Sequence, residues 1–341
     1  MQEVLTMNIY DIARMSGVSI ATVSRVMNGS DKVSEKTRQK VLSVIQEEDY
    51  TPNVFAQGLG LNTMHTIGVL VPDIADIYMS NAVSFIEKNL SEHSYDCILS
   101  CSGFHQEEKE AHVRMLLSKH IDGLILVGST YAGHGLDEHE TDYIREAAEQ
   151  VPVFIINGQV DGENVYSSVC EDKKAVYKTV NAMIKDGRRR ILFLTDSLSY
   201  SAMQKEEGYE AALKKNGLPV SGDLKIKLHG NEPHYVQDIL LQYANLEADA
   251  VIASDDSIAV GAVKYAAVKG LSIPEDVAIV GYNNSSLAIC SEPEITSIDG
   301  RSQQLCHDTV DNMIKVLNGA TNVEQMISLP CKLIKRNTTD F

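Results

Sequence analysis

No tryptophan occurs in this chain, and no apolar run approaches the ~20 residues needed to cross a bilayer as a helix. The second absence excludes a helical membrane protein. The amino-terminal stretch MQEVLTMNIYDIARMSG has neither a basic start nor an apolar segment, so no secretory signal is expected and the expected compartment is the cytoplasm. Cysteine is sparse. Cys97, Cys101, Cys170, Cys290, Cys306 and Cys331 include no C-x-x-C pair, so neither a disulfide framework nor a metal site is signalled, and reduced, mostly buried thiols are expected. Positive charge is in short supply too: 30 Lys and Arg against 47 Asp and Glu leave a formal charge of −17. That balance argues against affinity for nucleic acid over the whole surface, though not against a local patch. No nucleophile is matched with a base, so no catalytic residue, cofactor or enzymatic activity is expected.

What is present is a soluble, globular composition, 44% apolar and 23% charged, over 341 residues, enough for two or three domains. The charge is unevenly spread. Residues 8–65 carry six basic side chains (Arg14, Arg25, Lys32, Lys36, Arg38, Lys40) and six acidic ones (Asp11, Asp31, Glu35, Glu47, Glu48, Asp49), so the remainder bears the whole excess. Within this neutral head, Asn8 with Asp11, Ser19 and Ser34 each stand where a helix N-cap belongs, and Gly17 falls in the turn between the first two helices. Val41, Leu42 and Ile45 recur at helical spacing in the third. Helix, glycine turn and helix make a helix-turn-helix, whose second helix enters the DNA major groove. The segment GVSIATVSRVMNGS suits that task. Ser19, Thr22, Ser24 and Asn28 offer groups for phosphates, Ile20 and Ala21 suit apolar contact, and Arg25 is a bidentate donor suited to guanine. The competing reading is a small helical bundle with a serine-rich face.

From Thr66 the pattern changes. The apolar runs TIGVLV, YDCILS, IDGLILV, VPVFII, RILFL, ADAVIA and VAIVGY read as buried parallel strands, separated by amphipathic stretches at 79–93, 106–119, 172–186, 202–216, 257–269 and 301–318. The expected fold is an all-α helix-turn-helix head plus an α/β core of two doubly wound parallel-sheet lobes. Ligands of such sheets bind at the carboxyl ends of strands.

The head wording, YDIARMSGVSIATVSRVMNGSDKVSEKTRQKVLSVIQEEDYTPN, resembles the LacI/GalR family of bacterial transcriptional regulators, in register from Ile9 to Asn53. Tyr10, in the YDIA wording of the first helix, joins the expected DNA-contacting set through this family resemblance. GVLVPDI, KHIDGLIL, GYEAALKKNGLP, GLSIPEDVAIVGYNN and PEITSID continue the likeness in the family's order. The resemblance implies a DNA-binding domain at 8–52, a hinge helix at 53–65 and an effector-binding, dimerising core at 66–341, like periplasmic binding proteins. It implies crossings between lobes near 165, 293 and 329, with lobe 1 at about 66–165 and 293–328 and lobe 2 at about 166–292 and 329–341. In the hinge, Leu59 matches the family's minor-groove leucine and Ala56 its neighbour; Gly58 and Gly60 depart from the usual helix formers, leaving a flexible linker as the alternative. The implied effector residues are Tyr78, Asp172, Lys205, Ser254, Asp256 and Asn283; Asn283 and Gly103 replace family acids, removing two acceptors from a neutral-sugar site. The expected partners are operator DNA, a sugar or sugar-like effector and a second copy of the chain, since the leucine-repeat tail of the family's tetramers does not appear. The resulting function is a repressor of carbohydrate-related genes. The alternatives are a catabolite-control regulator answering to a phosphorylated phosphocarrier protein and a sugar-binding receptor.

Overall fold

The computed structural model describes residues 7–27, 30–50, 63–133, 139–243 and 246–341. Asn28, Ala56, Gly58, Leu59 and Gly60 lie outside these residues. The chain divides into two units, Met1–Thr66 and Ile67–Phe341.

The first unit holds α1 (Ile9–Ser16), α2 (Ile20–Met27) and α3 (Glu35–Glu47). Their starts follow from short polar side chains. Asn8 accepts from the Tyr10 and Asp11 amides while Asp11 accepts from the Asn8 amide, a complete capping box. The Thr22 amide donates to Ser19 Oγ at 3.2 Å, and the Thr37 amide to Ser34 Oγ at 3.3 Å. Gly17 ends α1 in the left-handed region at φ 63°, a conformation that costs a side chain but not glycine. Ile12, Ala13, Val23, Val26 and Val41 close a small core. Leu42, expected inward from its spacing, is 41% exposed because α3 turns Val41 toward α1 and α2 instead.

The second unit has two six-stranded sheets. β1 (Thr66–Val71), β2 (Asp96–Cys101), β3 (Gly123–Val127), β4 (Val153–Ile156), β5 (Val165–Cys170) and β11 (Met326–Leu329) form the first, in the order β11-β5-β4-β3-β1-β2. β6 (Ile191–Thr195), β7 (Lys225–Lys227), β8 (Ala250–Ala253), β9 (Ala278–Tyr282), β10 (Thr296–Asp299) and β12 (Lys332–Ile334) form the second, in the order β12-β10-β9-β8-β6-β7. Both faces of each sheet are covered, which is why the central strands are apolar throughout. On the first, α4 (Ile77–Glu92) and α12 (Ser302–Leu317) bury Ile86, Leu90, Val310 and Met313 against one face. α5 (Gln106–Leu117) and α6 (Asp142–Ala148) bury Leu116 and Ile144 on the other. On the second, α7 (Asp172–Lys185) and α8 (Tyr200–Lys215) cover one face, and α9 (Pro233–Gln242) and α10 (Asp256–Lys269) the other, with the short α11 (Ser286–Cys290) following β9.

Two expected crossings move. β5 pairs in parallel with both β4 and β11, so the first crossing follows Cys170 rather than residue 165. β10 pairs with β9, so the second follows Asp299 rather than 293. Strand pairing decides both, because the buried Ser167, Ser168 and Ser297 hide these strands from an apolar-run reading. The third crossing lies between Leu329 and Lys332.

Candidate DNA-reading and effector sites

On α2 the buried Val23 and Val26 fix the helix against α1 and α3 and turn the opposite face outward. Ser19, Ala21 and Arg25 are exposed, Ile20 is 40% exposed, and Thr22 and Ser24 are half-buried. Tyr10 on α1 is 67% exposed. The basic side chains differ in availability. Arg14 is paired with Asp11 at 2.8 Å and Arg38 donates to the Ser30 carbonyl at 2.7 Å. The Arg25 guanidinium has no hydrogen-bond or ion-pair partner among the described residues, so its donors are available to a base.

In the second unit, both sheets reverse strand order beside their longest apolar strands, at β1/β3 and β6/β8. Asp196 and Asp255 follow closely on β6 and β8, Asp76 caps α4 in the connection after β1, and these carboxylates sense one another between the lobes. Burial raises the pKa of each from the ordinary aspartate value. The Asp255 charge adds to the rise at Asp76, Asp196 to that at Asp255, and Asp76 to that at Asp196. Lys205 on α8 opposes the rise at Asp196 and Asp255. Its ammonium donates to the Ser254 carbonyl at 3.0 Å and lies 3.7 Å from the centre of the Tyr282 ring, a buried cation over an aromatic face. The Tyr282 hydroxyl donates to Asp172 Oδ1 at 2.6 Å, and the Ser201 hydroxyl to Asp172 Oδ2. Tyr78 enters from α4, its hydroxyl pKa pushed well above normal by burial and by the charges of Cys306, Cys170, Asp172 and Asp76. Asn283, held at φ 86°, donates to Asp255 Oδ2 at 2.8 Å. Across the lobes, Ser129 donates to Ser199 Oγ at 2.8 Å and Tyr200 to Gln159 Oε1 at 3.1 Å.

Of the six expected effector residues, Tyr78, Asp172, Lys205, Ser254 and Asn283 gather here; Ser254 serves Lys205 through its backbone oxygen. Asp256 departs from expectation. Fully buried, it accepts from Ser297 Oγ and the Ser285 amide, each at 2.6 Å, so it ties α10 to β10. Its neighbour Asp255 faces the cleft, because the carboxylate that caps α10 at the Ser257 amide stays outside the sheet. Asp76 and Asp196 were likewise missed, although their positions after strands flanking a reversal of strand order carry the signal. Gly103, expected as a lost acid, is a turn residue at φ 68°, where a Cβ would meet Glu108 Oε2 at 2.5 Å. Asp196 and Asp255 place carboxylates at other strand ends.

Residues 8–53 match the family described as bacterial regulatory proteins, lacI family, and residues 64–337 match periplasmic binding proteins and sugar binding domain of LacI family. The chain belongs to the LacI family. An HTH-type transcriptional regulator of Lachnoclostridium phytofermentans is 44% identical over 98% of this chain and 100% of its own length. Catabolite control protein A of Priestia megaterium is 30% identical over 98% and 100%. A lac repressor dimer bound to operator and the anti-inducer ONPF superposes with a TM-score of 0.86 at 26% identity, covering 97% of this chain and 98% of that one. This LacI-family chain is thus a transcriptional regulator with a DNA-binding head and a sugar-binding type of core. Among the described residues, no helix is long and apolar enough to cross a membrane.

Proposed function

We propose that this LacI-family regulator is a homodimeric repressor of carbohydrate-related genes, released or engaged by a small ligand rich in hydrogen-bond donors. The observation that carries the ligand class is the grouping of Asp76, Asp196 and Asp255, with the buried Lys205 ammonium close enough to act on Asp196 and Asp255. Carboxylates accept hydrogen bonds and repel anions. The cleft therefore favours a neutral polyol or an amino sugar over a sugar phosphate or sugar acid. Ser19, Ile20, Ala21, Thr22, Ser24 and Arg25 of each of two heads read a half-site, and Asn28, Ala56 and Leu59 are assigned to the same interface by the family likeness. Ligand binding acts as a rigid-body switch, favouring one relative position of the lobes through its higher affinity for that position.

Thermal-shift and calorimetric titration of the full-length protein against neutral sugars, amino sugars and sugar phosphates tests this. A neutral or aminated sugar is expected to bind, and Asp255→Asn to weaken it. Because burial raises the carboxylate pKa values, affinity is expected to fall on acidification at a higher pH than ordinary aspartates would set, as protonation removes acceptors. Tight binding of a sugar phosphate alone would reverse the ligand assignment. The 30% identity to catabolite control protein A favours a second reading, a phosphorylated phosphocarrier protein as the signal. Binding of that protein with no response to any sugar would establish it.

A further inference from the structure

Cys170, Cys331 and Asp172 come from separate segments, yet one ligand atom of each lies within 4.8 Å of the other two. Cys170 ends β5 at the first crossing between lobes, and Cys331 stands in the third, between β11 and β12. The carbonyl of Gly300, in the second crossing, accepts from the Cys170 thiol at 2.6 Å. Asp172 Oδ1 lies 4.0 Å from Cys331 Sγ.

We infer that Cys170, Cys331 and Asp172 form a binding site for a thiophilic divalent cation of the zinc type, which clamps the crossings between the lobes. Zinc bonds of ~2.3 Å to sulfur and ~2.1 Å to oxygen at tetrahedral angles place ligand atoms roughly 3.5–3.8 Å apart. From a separation of at most 4.8 Å, the three atoms need contract by no more than about 1.3 Å to reach that spacing. The ligand types fit as well: two sulfurs and a carboxylate select zinc over magnesium or calcium. Two thiolates and one carboxylate carry three negative charges, of which the ion offsets two; the Lys205 ammonium, which also acts on the cleft carboxylates, stands over the Tyr282 ring whose hydroxyl holds Asp172. Binding is a proton exchange with no redox change: each thiol loses its proton to solvent as its sulfur bonds the metal. Ser201 on Asp172 Oδ2 and Tyr282 on Oδ1 fix the carboxylate's orientation, with Oδ1 4.0 Å from Cys331 Sγ and one lone pair left for a metal. Two of the three ligands, Cys170 and Asp172, border a cavity of about 310 Å³ together with Tyr177, Tyr200 and Gln204. Three protein ligands leave the fourth position to water or another small donor. The inference does not depend on which ligand the cleft takes.

The test uses full-length protein in which the exposed thiols are removed by Cys101→Ser and Cys290→Ser. After chelator treatment it is titrated with Zn²⁺ against a chromophoric chelator, and separately with Co²⁺, whose thiolate charge-transfer absorption reports sulfur ligands. The expected result is one tight equivalent per chain, release of about two protons per ion and a thiolate band with cobalt. Cys331→Ser and Asp172→Asn are each expected to weaken binding by about ten-fold or more. Absence of a tight equivalent, absence of the thiolate band in the parent, or unchanged affinity in both Cys170→Ser and Cys331→Ser would overturn the inference. So would a disulfide between the pair in the isolated protein that, once reduced, still takes up no zinc.

Discussion

At the scale of single residues, availability separates side chains of one type. Arg14, Arg38 and Arg25 look alike in sequence, but two are committed to Asp11 and the Ser30 carbonyl, and only Arg25 is left to face outward from α2. Arg25→Ala is expected to cost ~1–3 kcal/mol per half-site and to flatten preference at one base pair, measured by titrating matched and mismatched operators at fixed salt. A loss equal across all sequences would make it a phosphate contact. Asp255 and Asp256 make the opposite case, adjacent carboxylates with different tasks. Burial raises the Asp256 pKa to about 6, against hydrogen bonds from Ser297 and Ser285 that lower it. The stability held by this protonated group is fully present below the unfolded value near 3.8 and is lost as the pH rises through about 6. Asp256→Asn retains an acceptor for the Ser285 amide and a donor for the Ser297 hydroxyl. Denaturant unfolding should therefore show the difference between parent and variant shifting by roughly 2–3 kcal/mol between pH 4 and pH 7, in the variant's favour at the higher pH. A constant difference would mean that Asp256 titrates normally. Sequence could not separate the two aspartates, because which of them caps α10 depends on where the strand before them stops.

At the scale of elements, the capping residues were legible and the strands only in part. Asn8, Ser19 and Ser34 act locally, through amides two or three residues away, so short-range pattern suffices. Central strands such as β3 and β4 are apolar at every position and stand out for that reason. β5, with the sequence VYSSVC, does not: Ser168 is buried on the strength of a hydrogen bond from Thr309 on α12, some 141 residues distant. A polar residue satisfied at such range looks like loop until the partner is known. The same holds for the candidate site, where Tyr78, Lys205 and Asn283 were legible by likeness to relatives while Asp76 and Asp196 depend on strand order. Close helix packing is equally hidden. Gly208 in α8 approaches α7 so nearly that a Cβ would stand 2.3 Å from the Lys173 carbonyl oxygen, a backbone atom unable to step aside. Gly208→Ala is expected to destabilise by ~1–3 kcal/mol despite alanine's better helix propensity, read as a lowered denaturant midpoint. A gain in stability would show that the two helices separate freely.

At the scale of the whole chain, the order in which residues are made differs from the order in which they pair. β5 is complete by residue 170, but its outer neighbour β11 begins only at residue 326; β10 likewise waits for β12 at 332. The segment at 336–339 then seals the second sheet, with the Ile279 amide donating to the Thr338 carbonyl and the Thr296 amide to Thr338 Oγ1. During synthesis each sheet thus presents a raw strand edge for the time taken to translate more than a hundred residues in one case and some thirty in the other. Such edges template pairing with other chains. A chain cut after residue 320 is expected to accumulate as aggregates unless residues 321–341 are supplied as a separate peptide, in which case soluble protein should be recovered. Soluble, monodisperse 1–320 would show that the final strands decorate rather than complete the sheets. For the cell, this wiring makes residues 321–341 a checkpoint: a chain that lacks them is expected to be cleared by proteolysis rather than to persist as a truncated regulator able to occupy an operator.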